Sequence, residues 1–225
     1  MDRLVVILTL YMATTLVGCV AHESSRALDT PQVKSAAVAY NGPKTPLVVG
    51  KFDNRSSYLR GLFSDGVDRL GGQAKTILMT HLQQANRFLV MDRDNLKEAE
   101  FESTLTGKKQ KLKGADFVIT GDVTEFGRKE TGDQQLFGVL GRGKTQVAYS
   151  KVSLNVVNAE TSEVIFSVQG AGEYALSNRE VVGFGSTASY DSTLNGKVLD
   201  LAVREAVNRL VEGIDNGTWK LNTAR

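Results

Sequence analysis

Hydrophobic and polar positions along the chain recur with two periods, and together they predict a mixed α+β fold. Leu47-Val48-Val49 is an apolar run of the kind a first strand shows. From Asp68 to Ala85, Leu70, Ala74, Ile77, Leu78 and Leu82 fall on one helical face behind the polar starter Ser64-Asp65-Gly66, so this helix should lie on a sheet. Phe88-Leu89-Val90-Met91 reads as a short strand, and Asp94 is expected to cap a helix running to about Ser103. Further strands are expected at Phe117–Val123, Val152–Val157 and Glu163–Val168, the last two joined by the turn Asn158-Ala159-Glu160-Thr161-Ser162. Gly196 to Gly213 completes the set as a helix with Val198, Leu201, Ala202, Leu210 and Ile214 inward. Strands and helices mixed in this way give a mixed sheet with helices packed on it.

Two stretches stand outside that scheme, 127–151 and 170–191. Each could hold two limbs of about ten residues around a glycine-rich or polar tip, the length a tilted membrane strand needs. In the second, Val168, Tyr174 and Leu176 share one phase, and Val182, Phe184, Ala188 and Tyr190 continue it. In the first, Arg128-Lys129-Glu130 and Asp133-Gln134-Gln135 put polar residues on both faces, so a solvent-exposed hairpin is the alternative there. The fold class expected is α+β, a mixed sheet with helices plus two β-hairpins that could join an oligomeric transmembrane β-barrel.

The N-terminus changes the picture. Met1-Asp2-Arg3 precedes an apolar run from Leu4 to Val17, too short for a comfortable transmembrane helix and suited to a signal-peptide core. It closes on Leu16-Val17-Gly18-Cys19, which resembles a lipobox, where small residues let a peptidase reach the bond before a lipid-bearing cysteine. Cys19 is the only cysteine in the chain, and lipidation would consume a thiol that has no disulfide partner. Several acyl chains on one residue, at about 0.8 kcal/mol per buried methylene, anchor a protein durably. Val20, in place of an aspartate, favours sorting to the outer membrane, with the folded domain in the periplasm. The expected organisation is a signal peptide over 1–18, a lipidated tether over 19–45 that is small and polar with prolines at 31 and 43, and a domain over 46–225. An ordinary signal peptide with an incidental cysteine is the alternative, and Asp2 speaks for it.

Composition mostly excludes. At 41% hydrophobic and 23% charged, 225 residues make one foldable domain. The formal charge of +2 has a single basic run behind it, Lys108-Lys109-Gln110-Lys111-Leu112-Lys113, which reads as a solvated loop; no nucleic-acid partner is expected. Gly138-Val139-Leu140-Gly141-Arg142-Gly143-Lys144-Thr145 matches the phosphate-loop pattern, but Gln134-Gln135 precede it and Gln146-Val147-Ala148-Tyr149 continue as strand. A phosphate loop must open a helix, so these glycines read as a hairpin tip. His22 and His81 are far apart and make no metal cluster. No nucleophile elbow occurs, and Asp116, Asp122 and Glu125 are expected in turns and caps. No enzymatic activity, metal or cofactor is expected beyond the covalent lipid on Cys19.

Several stretches in order resemble the curli secretion channel (CsgG) family of outer-membrane lipoproteins, over most of the mature chain. They are the lipobox, Gly114-Ala115-Asp116 with Gly121, Phe137-Gly138-Val139-Leu140-Gly141, Val156-Val157-Asn158 with Thr161 and Glu163, Ser167-Val168, and Gly213-Ile214-Asp215-Asn216-Gly217-Thr218-Trp219. The resemblance implies a homo-oligomeric ring to which each subunit gives two hairpins of one shared barrel, in contact with outer-membrane lipid. It implies, as partners, secreted amyloid or fibre subunits and periplasmic or surface accessory proteins. It also implies a constriction loop bearing a tyrosine, an asparagine and a phenylalanine. The matching stretch is Tyr58-Leu59-Arg60-Gly61-Leu62-Phe63, with Tyr58 and Phe63 fitting and Leu62 where the asparagine would be. Packing of Tyr58 and Phe63 onto the domain is the other reading. A periplasmic adaptor or assembly factor that never forms a pore is the alternative function.

Overall fold

A computed structural model describes residues 25, 27, 29–58, 67–134, 142–180 and 193–219. Gln32–Arg225 forms one compact unit and Met1–Pro31 another. Among the described residues the larger unit contains five strands, β1 (Thr45–Asn54), β2 (Phe88–Met91), β3 (Phe117–Gln134), β4 (Arg142–Asn158) and β5 (Val164–Glu180). Three α-helices accompany them, α1 (Arg69–Gln84), α2 (Leu96–Leu105) and α3 (Thr193–Asp215). The sheet order is β2-β1-β3-β4-β5. β2 and β3 run parallel to β1, whereas β4 and β5 are antiparallel to their neighbours, so the sheet is mixed.

One face of the sheet carries the core. Leu47, Val49, Phe52, Phe117, Ile119, Val123, Val152, Leu154 and Val156 alternate along their strands and are all buried. Leu78 and Leu82 of α1, with Val198, Leu199, Ala202 and Leu210 of α3, cover them. The opposite face is polar: Lys51 pairs with Asp53 at 2.7 Å and Arg55 with Asp122 at 2.8 Å. α3 crosses β5 with almost no clearance, since a Cβ on Gly170 would run into the backbone of Ala202 and Ala206.

Local chemistry sets the element ends. Asp68 caps α1 by accepting from Gly71 N at 2.8 Å, a role expected of Ser64-Asp65-Gly66, which lies outside the described residues. At the start of α2 the organising carboxylate is Asp92, not the expected Asp94. Asp92 accepts from the backbone of Asp94 and Asn95 and from Asn95 Nδ2, while Asp94 turns to Lys75 at 2.6 Å. At the end of α3, Gly217 takes φ +69, Gly217 N donates to Ile214 O, and Thr218 N donates to Gly213 O. That closure swings Trp219 into the core against Phe88, Phe117 and Phe166. The β4–β5 turn is tied by Asn158 Oδ1, which accepts from Glu160 N and Thr161 N.

Two expectations are revised. Part of the segment expected as a tether over 19–45 packs on the domain: Val33 is 2% exposed, Lys34–Ala37 forms a 3₁₀ turn, and Lys34 N donates to Asn208 Oδ1 on α3. Burying one valine and satisfying a backbone donor holds this segment to the domain well before position 46. The strands at 117–123, 152–157 and 163–168 are also much longer than their apolar runs. β3 and β4 pair from Phe117↔Asn158 to Gln134↔Arg142 with one register shift between Val123 and Glu125, and β5 follows β4 to Arg142↔Glu180. The stretch 127–151 therefore contains one hairpin with its tip outside the described residues. The outgoing limb of 170–191 lies beside that hairpin, forming a three-stranded ribbon, and the returning limb expected up to 191 falls outside the described residues.

Candidate functional site

The sequence-derived site splits at the edge of the described residues. Tyr58 is described, whereas Cys19, Leu62 and Phe63 are not. Tyr58 sits where β1 gives way to a loop that returns at Asp68, and the two ends of that loop are joined. Asn54 N donates to Asp68 Oδ2, so the residue that ends β1 holds the residue that caps α1. Asn54 also folds the outgoing chain: its Oδ1 accepts from Ser56 N at 3.0 Å and Ser56 Oγ at 2.6 Å, and its Nδ2 donates to Tyr58 O at 2.9 Å.

The same neck grips the ribbon. Arg55 N and Ser56 N both donate to Val123 O, at 2.9 and 3.1 Å, where a bulge between Val123 and Glu125 interrupts the β3–β4 register. Past the bulge, Phe126 packs on the Tyr58 ring with centroids 4.7 Å apart. The Tyr58 hydroxyl accepts from Asn195 Nδ2 at 3.0 Å, and Asn195 Oδ1 accepts from Arg128 Nε at 2.8 Å. Tyr58 is thus half-buried, its ring on β3 and its hydroxyl on the first turn of α3. The arrangement fixes Tyr58 relative to the ribbon and to α3.

The ribbon beyond the bulge is polar on both faces. Pairing places Phe126, Ser150 and Gly172 in one row and Arg128, Ala148 and Tyr174 in another on the same face. The opposite face carries Gly127, Tyr149 and Glu173, then Lys129, Val147 and Ala175. Gln146 and Ser150 are buried, and Gln146 Oε1 and Ser150 Oγ have no hydrogen-bond partner among the described residues.

The remaining candidate residues take structural positions. His81 is 2% exposed between α1 and α3, with Nε2 2.8 Å from Asp200 Oδ1 and Nδ1 3.1 Å from Gln84 Oε1. Lys144 and Thr145 lie inside β4, so the glycine-rich motif runs into a strand and opens no helix. Asp122 pairs with Arg55 and Glu125 with Lys151, while the Asp116 backbone bonds Pro46 and Ala159. Among the described residues no three His, Cys, Asp or Glu could jointly hold a metal ion, and no helix is long and apolar enough to cross a membrane. Among the described residues, Asp92 and Arg55 shift in pKa. The hydrogen bond from Asn95, with backbone bonds from Asp94 and Asn95, lowers Asp92, and the hydrogen bond to Asp122 raises Arg55.

Of the residues that build the neck, Arg128 is named from the sequence only as a polar position of the hairpin limb, and Asn54, Phe126 and Asn195 are not singled out. Asp68, immediately before the helical periodicity, carried a readable capping signal. Phe126, Arg128 and Asn195 act through partners distant in sequence, whereas Asn54 acts locally, on Ser56 and Tyr58.

Residues 31–225 match the family described as curli production assembly/transport component CsgG. The chain is 64% identical over 210 residues to "Putative lipoprotein NMB1126/NMB1164" of Neisseria meningitidis serogroup B, covering 93% of this chain and 94% of that protein. Among solved structures it is similar to the hypothetical protein CT253 from Chlamydia trachomatis, at 17% identity and TM-score 0.43, covering 76% of this chain and 97% of that one. It is also similar to the lipoprotein GNA1162 from Neisseria meningitidis, at 16% identity and TM-score 0.36, covering 77% and 99%.

Proposed function

Because this chain belongs to the curli production assembly/transport component family, we propose that it is a non-enzymatic lipoprotein of the cell envelope, anchored through Cys19, that assembles into a ring for export of unfolded fibre subunits. The observation that carries this reading is the ribbon. Glu125–Gln134, Arg142–Lys151 and Ala171–Glu180 extend the sheet past the bulge, each reaching the about 9–11 residues of a tilted membrane strand. Strands of that length leave backbone donors and acceptors at the edge of the ribbon, and neighbouring copies joined edge to edge would satisfy them in a closed sheet.

A second reading has its own support. Arg128 on one face and Lys129 and Glu173 on the other give the described ribbon no uninterrupted apolar side, as a lipid-facing barrel wall requires. This favours a periplasmic adaptor or assembly factor that uses the ribbon in water. Sizing of detergent-extracted protein with single-channel recording in planar bilayers separates the two. Large rings with stepwise conductance support export; a monomer without conductance after lipid removal supports the adaptor. Loss of membrane association on Cys19→Ala tests the anchor, and retention of the variant in the membrane would refute it.

A further inference from the structure

The excursion between β2 and β3 contributes little to the core. No residue of α2 is buried, and Phe101 and Leu105, one helical turn apart, are 62% and 66% exposed. The loop that follows runs from Gly107, at φ +65, to Gly114, with Lys108, Lys109, Lys111 and Lys113 and no acidic residue. Leu112 stands among these lysines 60% exposed. None of the four lysines forms an ion pair among the described residues. Arg93 Nη2 donates to Lys113 O at 2.5 Å and fixes the far end of the loop. α2 itself carries Glu98, Glu100 and Glu102, so the positive charge is concentrated in the loop.

We infer that α2 and the 107–114 loop form a docking surface for an anionic lipid bilayer. Exposed lysines alone would be an ordinary solvated loop, and single exposed apolar residues need no explanation. Here they occur in one excursion: unpaired ammonium groups flank Leu112, with Phe101 and Leu105 on the adjoining helix. An anionic bilayer supplies both complements, phosphate and headgroup charge for the lysines and acyl depth for the three apolar side chains. The inference rests on the Cys19 anchor proposed above only for bringing the surface to the membrane. Tethering raises the effective concentration to the order of millimolar, so weak docking suffices. Docking would hold the domain at the membrane surface in one orientation.

The test uses the lipidated protein with Phe101→Trp, in vesicles of equal parts phosphatidylcholine and phosphatidylglycerol with brominated acyl chains, against vesicles of phosphatidylcholine alone. The native Trp219 is 4% exposed and gives a low quenching background. Quenching should be several-fold greater in the anionic vesicles. It should fall to the zwitterionic level when the four lysines are changed to glutamine or in high salt. Vesicle flotation reports the anchor separately from docking. Protein that floats without quenching at position 101 overturns the inference, as does quenching indifferent to the lysine changes. Concentration-dependent burial of the new tryptophan without lipid quenching would assign the surface to a protein partner instead. Unchanged urea midpoints establish that the variants remain folded.

Discussion

The Tyr58 hydroxyl accepts a hydrogen bond from Nδ2 of Asn195 at 3.0 Å, joining the exit of β1 to the first turn of α3 across 137 residues of sequence. The Tyr58 ring rests on Phe126, and Arg128 holds the other end of the Asn195 amide. Tyr58→Phe keeps the ring contact and removes one hydrogen bond, an expected loss of about 1 kcal/mol. Tyr58→Ala also removes the ring and should cost about 3 kcal/mol. Urea denaturation reads both. In a conducting ring, Tyr58→Phe and Asn195→Ala should alter conductance through the loop's position, whereas a tyrosine lining the passage directly would make Asn195→Ala silent.

Gly170 lets α3 approach β5, and an added methyl would meet the backbone of Ala202 and Ala206. Backbone cannot rotate away as a side chain can. Gly170→Ala should therefore cost about 3 kcal/mol or more, or prevent folding. Gly72→Ala, at a helical position whose Cβ would meet nothing within 4 Å, should stabilise by about 0.5–1 kcal/mol. Thermal denaturation of the pair checks both signs.

The buried His81 imidazole bridges α1 and α3 through Asp200. Asp200→Ala leaves a buried ring nitrogen without that partner and should destabilise by about 1–3 kcal/mol. Replacing both residues with leucine should cost less than the sum of the single changes, because no buried polar group is stranded. A double-mutant cycle in urea measures the coupling, and strict additivity would show that the contact contributes nothing.

Asp92 gives a pH signature. Its pKa is lowered, first by the Asn95 side-chain hydrogen bond, so the folded state favours the carboxylate more than the unfolded chain does. Its contribution is present above the unfolded value of about 3.9 and is lost as pH falls through the lower folded value. NMR titration should find Asp92 below the ordinary aspartate range, and Asn95→Ala should move it upward. An unshifted Asp92 in the wild-type protein would refute the assignment.

Much of the resemblance to the family proves to be turn and cap chemistry. Asn158 with Thr161 ties the β4–β5 turn, and Gly217 with Gly213 closes α3 and delivers Trp219 to the core. These residues are legible in sequence because they act on near neighbours.

The sequence by itself determined the helices, the apolar starts of the strands and the turn chemistry, since period and capping depend on residues a few positions apart. Only the tertiary structure decided that 33–37 belong to the domain, that β5 continues alongside the hairpin, and that Tyr58 rests on Phe126 beneath Asn195. Those facts depend on which surfaces meet after the chain has crossed and recrossed the sheet. Burial and hydrogen-bond satisfaction act there between residues with no local pattern in common.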